Sequence, residues 1–109
     1  MAYQFGDLLL VPLIFSDATE SKKRPVLVVH DLVSVVLLVI QITRYAPRAP
    51  QDVRLNNWQA AGLRLPSWVG TAKLATVAKA SVIRKMGHLS DCDAKQIRET
   101  LRRFLSGIV

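Results

Sequence analysis

Three cations and a hydroxyl, Ser21-Lys22-Lys23-Arg24, stand directly before Pro25 and the apolar run Val26-Leu27-Val28-Val29. Proline has a fixed φ and no N–H, so it suits the first residue of a strand better than its middle. The residue before it is pushed towards extended geometry. This predicts Arg24 at a loop-to-strand junction, with its backbone held by its neighbours and its guanidinium free to reach an anion. The planar fork of N–H donors on arginine matches a phosphate well. Nothing else in the chain competes as a chemical motif. His30, His88 and the lone Cys92 are too scattered to make a metal-ligand spacing, and both histidines are expected to be structural. No Gly-rich phosphate loop, Ser-His-Asp order or zinc ribbon is present. Taken alone, Arg24 reads either as a strand-flanking cation in a surface salt bridge or as a phosphate-handling arginine; no metal or other cofactor is expected.

The charge balance bears on this choice. The 109 residues carry a net charge of +7. Residues 1–50 contribute +1 and residues 51–109 contribute +6. A basic surface of this kind favours polyanions, nucleic acid first; composition alone fits a solvated basic surface equally well. Half of the residues are hydrophobic, which is rich for so small a chain and suggests apolar surface covered by a partner subunit. The length predicts one domain, residues 1–109, able to bury a core without metals or disulfides. A single cysteine fits a reducing cytoplasm. Residues 1–15 lack a basic start and include Asp7, so no secretory signal is expected. The greasy stretch 25–42 is broken by His30, Asp31 and Ser34. Its apolar runs fall short of the roughly 20 residues a spanning helix needs, so no membrane span is expected.

The elements that must position Arg24 are mostly strands. Residues 7–13, 25–30 and 34–43 are apolar or β-branched and read as three strands. Residues 15–23 read as a polar loop. Pro47 and Pro50 make 44–52 a second long loop. Residues 57–62 fit one helical turn, with Asn57 capping it and Gly62 ending it. Residues 67–69 and 74–83 read as further strands, although the alanine-rich stretch 71–80 fits a helix as well, and Trp58 and Trp68 are expected in core or dimer packing. The clearest helix is the last. Ser90 followed by Asp93 is a capping-box-like start, Asp91 and Asp93 suit the positive helix end, and Arg102 and Arg103 suit the negative one. Ile97, Leu101, Phe104 and Leu105 form one stripe, and Gly107 can end the helix. The predicted class is mainly β (α+β), a small curled antiparallel sheet with a C-terminal helix over one face.

Read in order, Gly6-Asp7-Leu8-Leu9-Leu10-Val11-Pro12, Lys23-Arg24-Pro25, Val39-Ile40-Gln41-Ile42-Thr43, Leu63-Arg64-Leu65-Pro66-Ser67-Trp68-Val69, Lys73-Leu74-Ala75-Thr76-Val77 and Met86-Gly87-His88-Leu89-Ser90 resemble the MazF/PemK family of toxin endoribonucleases from bacterial toxin–antitoxin pairs. The resemblance runs over roughly residues 3–105. It implies an SH3-like barrel with short helix insertions and a C-terminal helix, a homodimer, and metal-independent cleavage of single-stranded RNA. It also implies a cognate acidic antitoxin as partner.

Such cleavage needs a base for the 2′-hydroxyl proton, a proton donor for the departing 5′-oxygen, and cations for the phosphorane. Products would be a 2′,3′-cyclic phosphate and a 5′-hydroxyl. Arg24 matches the family arginine implied to act on the scissile phosphate. Thr43 matches the hydroxyl residue that ends the third strand, and a threonine suits orienting the phosphate better than deprotonating anything. Glu20 is the candidate for proton transfer, with a solvated loop acid as its other reading. Ser21, Lys22, Lys23, Arg44, Arg48 and Lys73 are candidate substrate contacts, and Lys73 matches a lysine of the later strand motif. Tyr45 has two uses open to it, stacking on an unpaired base or packing on the loop prolines.

Two departures stand out. Ala72 occupies a position where the family often carries an acid, and Thr43-Arg44-Tyr45 replaces the common Thr-Ser pair. The alternatives are a CcdB-like, non-enzymatic gyrase inhibitor on the same fold and an inactive homologue that binds nucleic acid without cutting. The first would rely on a C-terminal Trp-Gly-Ile, whereas this chain has Gly107-Ile108 with no adjacent tryptophan.

Overall fold

A computed structural model of the chain describes residues 2–14, 21–32, 35–43 and 52–108. Its strands are β1 (Asp7–Ile14), β2 (Ser21–Asp31), β3 (Val36–Thr43), β4 (Asp52–Arg54), β5 (Trp68–Ala78) and β6 (Arg84–His88). A short 3₁₀ turn, Lys79–Ser81, separates β5 from β6, and α1 (Asp91–Ser106) closes the chain. The strands form one antiparallel sheet in the order β4-β5-β3-β2-β1-β6. Among the described residues the edge strands β4 and β6 do not pair with each other, so the expected barrel is a curled sheet that stays open along that edge.

Strand alternation sorts the core into two layers. Leu8, Leu27 and Ile40 lie side by side on three neighbouring strands. They share a buried cluster with Val53, Leu55, Val69, Ile97 and Leu101, so this is the layer that α1 covers. The other face carries Leu9, Val11, Val26, Val28, Leu37 and Val39, all fully buried. Burying both faces is why these strands read as unbroken apolar runs.

The helix is anchored at its start. Ser90 is its N-cap, and its Oγ accepts from the Asp93 N–H at 3.2 Å. Asp93 itself is buried, and its carboxylate accepts from the backbone N–H groups of Asn56 and Asn57 at 3.0 and 2.8 Å. A residue expected only to cap the helix therefore also ties it to the segment after β4. That segment is a turn in which the Ala61 N–H donates to Asn57 O, while the Asn57 side chain accepts from Ser90 Oγ. Gly62 ends the turn with φ +95°, and a Cβ there would collide with the Met86 carbonyl oxygen. At the opposite edge, Asp7 accepts from Gln4 N–H at 2.9 Å and pairs with His88 Nδ1 at 2.8 Å and Lys85 Nζ at 3.2 Å. Burial pushes its carboxyl up, but the Gln4, His88 and Lys85 interactions outweigh this and hold it below the ordinary aspartate value.

Several boundaries differ from expectation. β2 begins at Ser21, so Pro25 lies inside it, opposite Leu10 of β1. The position is tolerable because the ladder from β2 to β3 starts only at Val26, which leaves the β3 side of Pro25 without a ladder to break. β4 falls at the end of the stretch read as a loop. The stretch read as a strand over 74–83 divides into the end of β5, the 3₁₀ turn and a gap before β6.

Candidate functional site

The β2–β3 register runs Leu27 to Ile40 and Val26 to Gln41. Arg24 and Thr43 stand two residues beyond the end of that ladder, on the same face as Val26 and Gln41. Val11 faces Arg24 from β1, and Trp68 faces Thr43 from β5. Trp68 in turn faces Arg54 of β4. This end of the sheet thus carries a five-strand row in two paired parts, Arg54, Trp68 and Thr43 across β4, β5 and β3, and Arg24 with Val11 across β2 and β1. The neighbouring row, Val53, Val69 and Ile42, belongs to the helix-covered core, so alternation turns the five-strand row to the other face. On that face β2 reads Val28, Val26, Arg24, Lys22, passing from fully buried valine to half-buried arginine to exposed lysine. The polar row is the rim of an apolar layer.

A bulge adjoins it. Between the Ile40–Leu74 and Ile42–Val69 pairs, the four residues Gly70-Thr71-Ala72-Lys73 of β5 stand opposite the single residue Gln41 of β3. Extra residues of this kind bend a strand and re-aim its side chains. Leu74 packs into the helix-covered core and Ala75 against the opposite layer, so Lys73 shares the face of Arg24. A Cβ on Gly70 would meet Lys73 Cδ at 3.3 Å and Asp52 Oδ1 at 3.4 Å. The glycine leaves room for a lysine and a carboxylate to lie beside the row. Arg24, Thr43, Asp52 and Thr71 each have a polar, charged or ring partner.

Of the residues singled out from the sequence, Arg24, Thr43, Lys22 and Lys73 fall on one face at one end of the sheet. Lys23, exposed and opposite Pro12, points to the other face by alternation. Ser21 is the first residue of β2, opposite Ile14. Glu20, Arg44, Tyr45 and Arg48 lie outside the described residues. Gln41, Asp52 and Arg54 share the site face without having been singled out. Trp68, expected in packing, is half-buried beside Thr43 rather than in either buried cluster. The alternation of Trp68 with Val69 was a visible signal for this; the position of Asp52 and Arg54 depended on a three-residue strand following two prolines. Among the described residues no group of His, Cys, Asp or Glu could hold a metal ion. No helix there is long and apolar enough to cross a membrane.

Solved structures share this architecture. An endoribonuclease in complex with its cognate antitoxin, from a mycobacterial species, superposes with a TM-score of 0.79 at 16% identity, covering 96% of each chain. The Mycobacterium tuberculosis toxin MazF-mt6 gives 0.74 at 21% identity, over 92% of this chain and 96% of the other. A MazE–MazF structure from Deinococcus radiodurans gives 0.75 at 16% identity, over 95% and 96%. Among curated proteins none matches the chain. At the level of sequence, the family model described as PemK-like, MazF-like toxin of type II toxin–antitoxin system matches residues 4–105. With nearly its whole length matched, the chain belongs to the PemK-like, MazF-like toxin family of type II toxin–antitoxin systems.

Proposed function

We propose that the chain is a single-domain toxin that cuts single-stranded RNA without a metal, by attack of a ribose 2′-hydroxyl on the adjacent phosphate. The observation that carries this is that Arg24 on β2 and Thr43 on β3 both lie two residues beyond the last β2–β3 pair, Val26–Gln41, on one face at the rim of an apolar layer. Arg24 stabilises the charge that grows on the phosphorane oxygens. Its guanidinium offers five N–H donors in a fixed fork, so its part is to donate hydrogen bonds rather than a proton. Thr43 orients the phosphate through its hydroxyl, and Lys22 and Lys73 add positive charge along the same face. Glu20 is the proton-transfer group in this reading, with Ser21, Arg44, Tyr45 and Arg48 holding the strand that enters; Lys23, turned to the other face, is left out of it. Because the nucleophile is the 2′-hydroxyl, DNA binds without being cut.

The working unit is a homodimer in the cytoplasm, restrained by an acidic antitoxin. The antitoxin reading draws on the mycobacterial and Deinococcus neighbours described as complexes of this type, and on a net charge of +7 that suits an acidic peptide as well as RNA. The family match favours the nuclease over a gyrase inhibitor. The test is incubation of purified protein with a long single-stranded RNA in EDTA, mapping new 5′ ends, with Arg24→Ala alongside. Discrete cuts that vanish in the variant are expected. Intact RNA with the parent protein, or cuts that survive Arg24→Ala, would overturn the reading.

A further inference from the structure

The row containing Arg24 and Thr43 continues past them. Trp68 is the direct β5 partner of Thr43, and Arg54 is the direct β4 partner of Trp68. Trp68 is half-buried, so part of its ring is open to solvent. Its backbone is fixed from both sides. The Leu55 N–H donates to the Ser67 carbonyl at 3.0 Å, and the buried Ser67 hydroxyl donates to Leu65 O at 2.8 Å. The Arg54 guanidinium carbon stands 6.0 Å from the Trp68 ring centroid, at the outer limit of a cation–π contact. Among the described residues it pairs with no carboxylate. An exposed arginine thus flanks a half-buried aromatic ring two strands, about 10 Å, from Arg24.

We infer that Trp68 and Arg54 form a subsite of the same groove, in which Trp68 stacks on an unpaired base next to the scissile phosphate and Arg54 holds the following phosphate. This rests on the nuclease reading above and extends it to the route of the RNA across β3, β5 and β4. Aromatic stacking beside a basic row is how single strands are gripped without reading every base edge. The loose Arg54–Trp68 contact leaves the ring able to accept a base without first breaking a strong interaction.

Fluorescence separates this inference from the cleavage reading. The chain has two tryptophans, so Trp58→Phe leaves Trp68 as the sole reporter. The probe is a mixed-sequence oligoribonucleotide bearing 2′-O-methyl groups throughout, which binds but offers no nucleophile. Saturable quenching of Trp68 is expected. Trp68→Leu should weaken binding about tenfold to a hundredfold, and should raise KM for a long RNA more than it lowers kcat. Trp68→Tyr should restore affinity to within a few-fold of the parent. Arg54→Ala should reduce the dependence of affinity on salt by about one ion. Absence of quenching, together with parental affinity in Trp68→Leu, would overturn the subsite. So would conversion of the protein to a monomer by Trp68→Leu, because that would make the ring a contact between two copies. Quenching in a protein that cuts no RNA would leave the subsite standing and remove only the cleavage reading.

Discussion

The two faces of the sheet use the same strands for different ends. On the helix-covered face, Leu8, Leu27 and Ile40 continue into Ile42, Val69 and Val53 without a polar interruption, and α1 is tied across them by Asp93. On the opposite face the apolar layer stops within two residues, where Val26 gives way to Arg24 on β2 and Val39 to Gln41 and Thr43 on β3. Ile42 remains in the core while Thr43, the next residue, joins the rim. Alternation lets one strand end carry a packing residue and a chemical residue in succession. Arg24 and Thr43 both lie within strands, which hold side chains more closely in place than loops do. Stability and activity should be separable by face.

The largest separation is expected at Arg24→Ala. It should reduce RNA cleavage by about a hundredfold to a thousandfold, the scale of losing one transition-state donor, while leaving the urea midpoint within experimental scatter. Equal losses of stability and activity would show that the arginine holds the sheet together. Leu27→Ala is the converse. Fully buried in the middle of three strands, it should cost about 2–5 kcal/mol in chemical denaturation. The remaining folded protein should cut at the parental rate.

Asp93→Ala breaks the tie between α1 and the turn after β4. Leaving two backbone N–H groups without their acceptor should cost about 1–3 kcal/mol, again without a change in kcat.

The Asp7 cluster makes a smaller, pH-dependent contrast. Its folded pKa is depressed, so the stabilisation is present above the unfolded aspartate pKa and fades as pH falls through the folded value. Asp7→Asn should accordingly be less stable than the parent near pH 7 by about 1–2 kcal/mol. The gap should narrow only as pH falls below the unfolded aspartate value and on through the depressed folded one. A gap that persisted in acid would assign the loss to packing. The smallest effect is expected for Thr43→Val, which keeps the β-branched shape and removes the hydroxyl. Cleavage should fall about tenfold, the scale of one hydrogen bond, with stability unchanged.

The strands β1 and β3 were legible because they are long and apolar, and α1 because its cap, charge gradient and stripe agree. That Arg24 and Thr43 belong at the same end of the sheet was legible only through family order, since nineteen positions separate them in the chain and neither is distinctive alone. Pro25 misled about where β2 begins, because a sequence does not show that the β3 ladder stops one residue later. β6 was missed for a similar reason. Arg84-Lys85-Met86-Gly87-His88 has little β character of its own, and its strand geometry comes from pairing with β1.

What the sequence determined by itself was local: apolar periodicity, a capped helix, an arginine held beside a proline, and a surplus of positive charge. Those properties follow from each residue and its near neighbours, and they survive without knowledge of the fold. Tertiary structure alone decided which residues share a row. Asp52, Arg54, Lys73 and Trp68 reach the face of Arg24 through the registers of β4 and β5 and the bulge opposite Gln41. Register is a property of two strands at once. A shift of one residue would turn every side chain to the other face, so a face assembled from several strands has no counterpart in any single stretch of sequence.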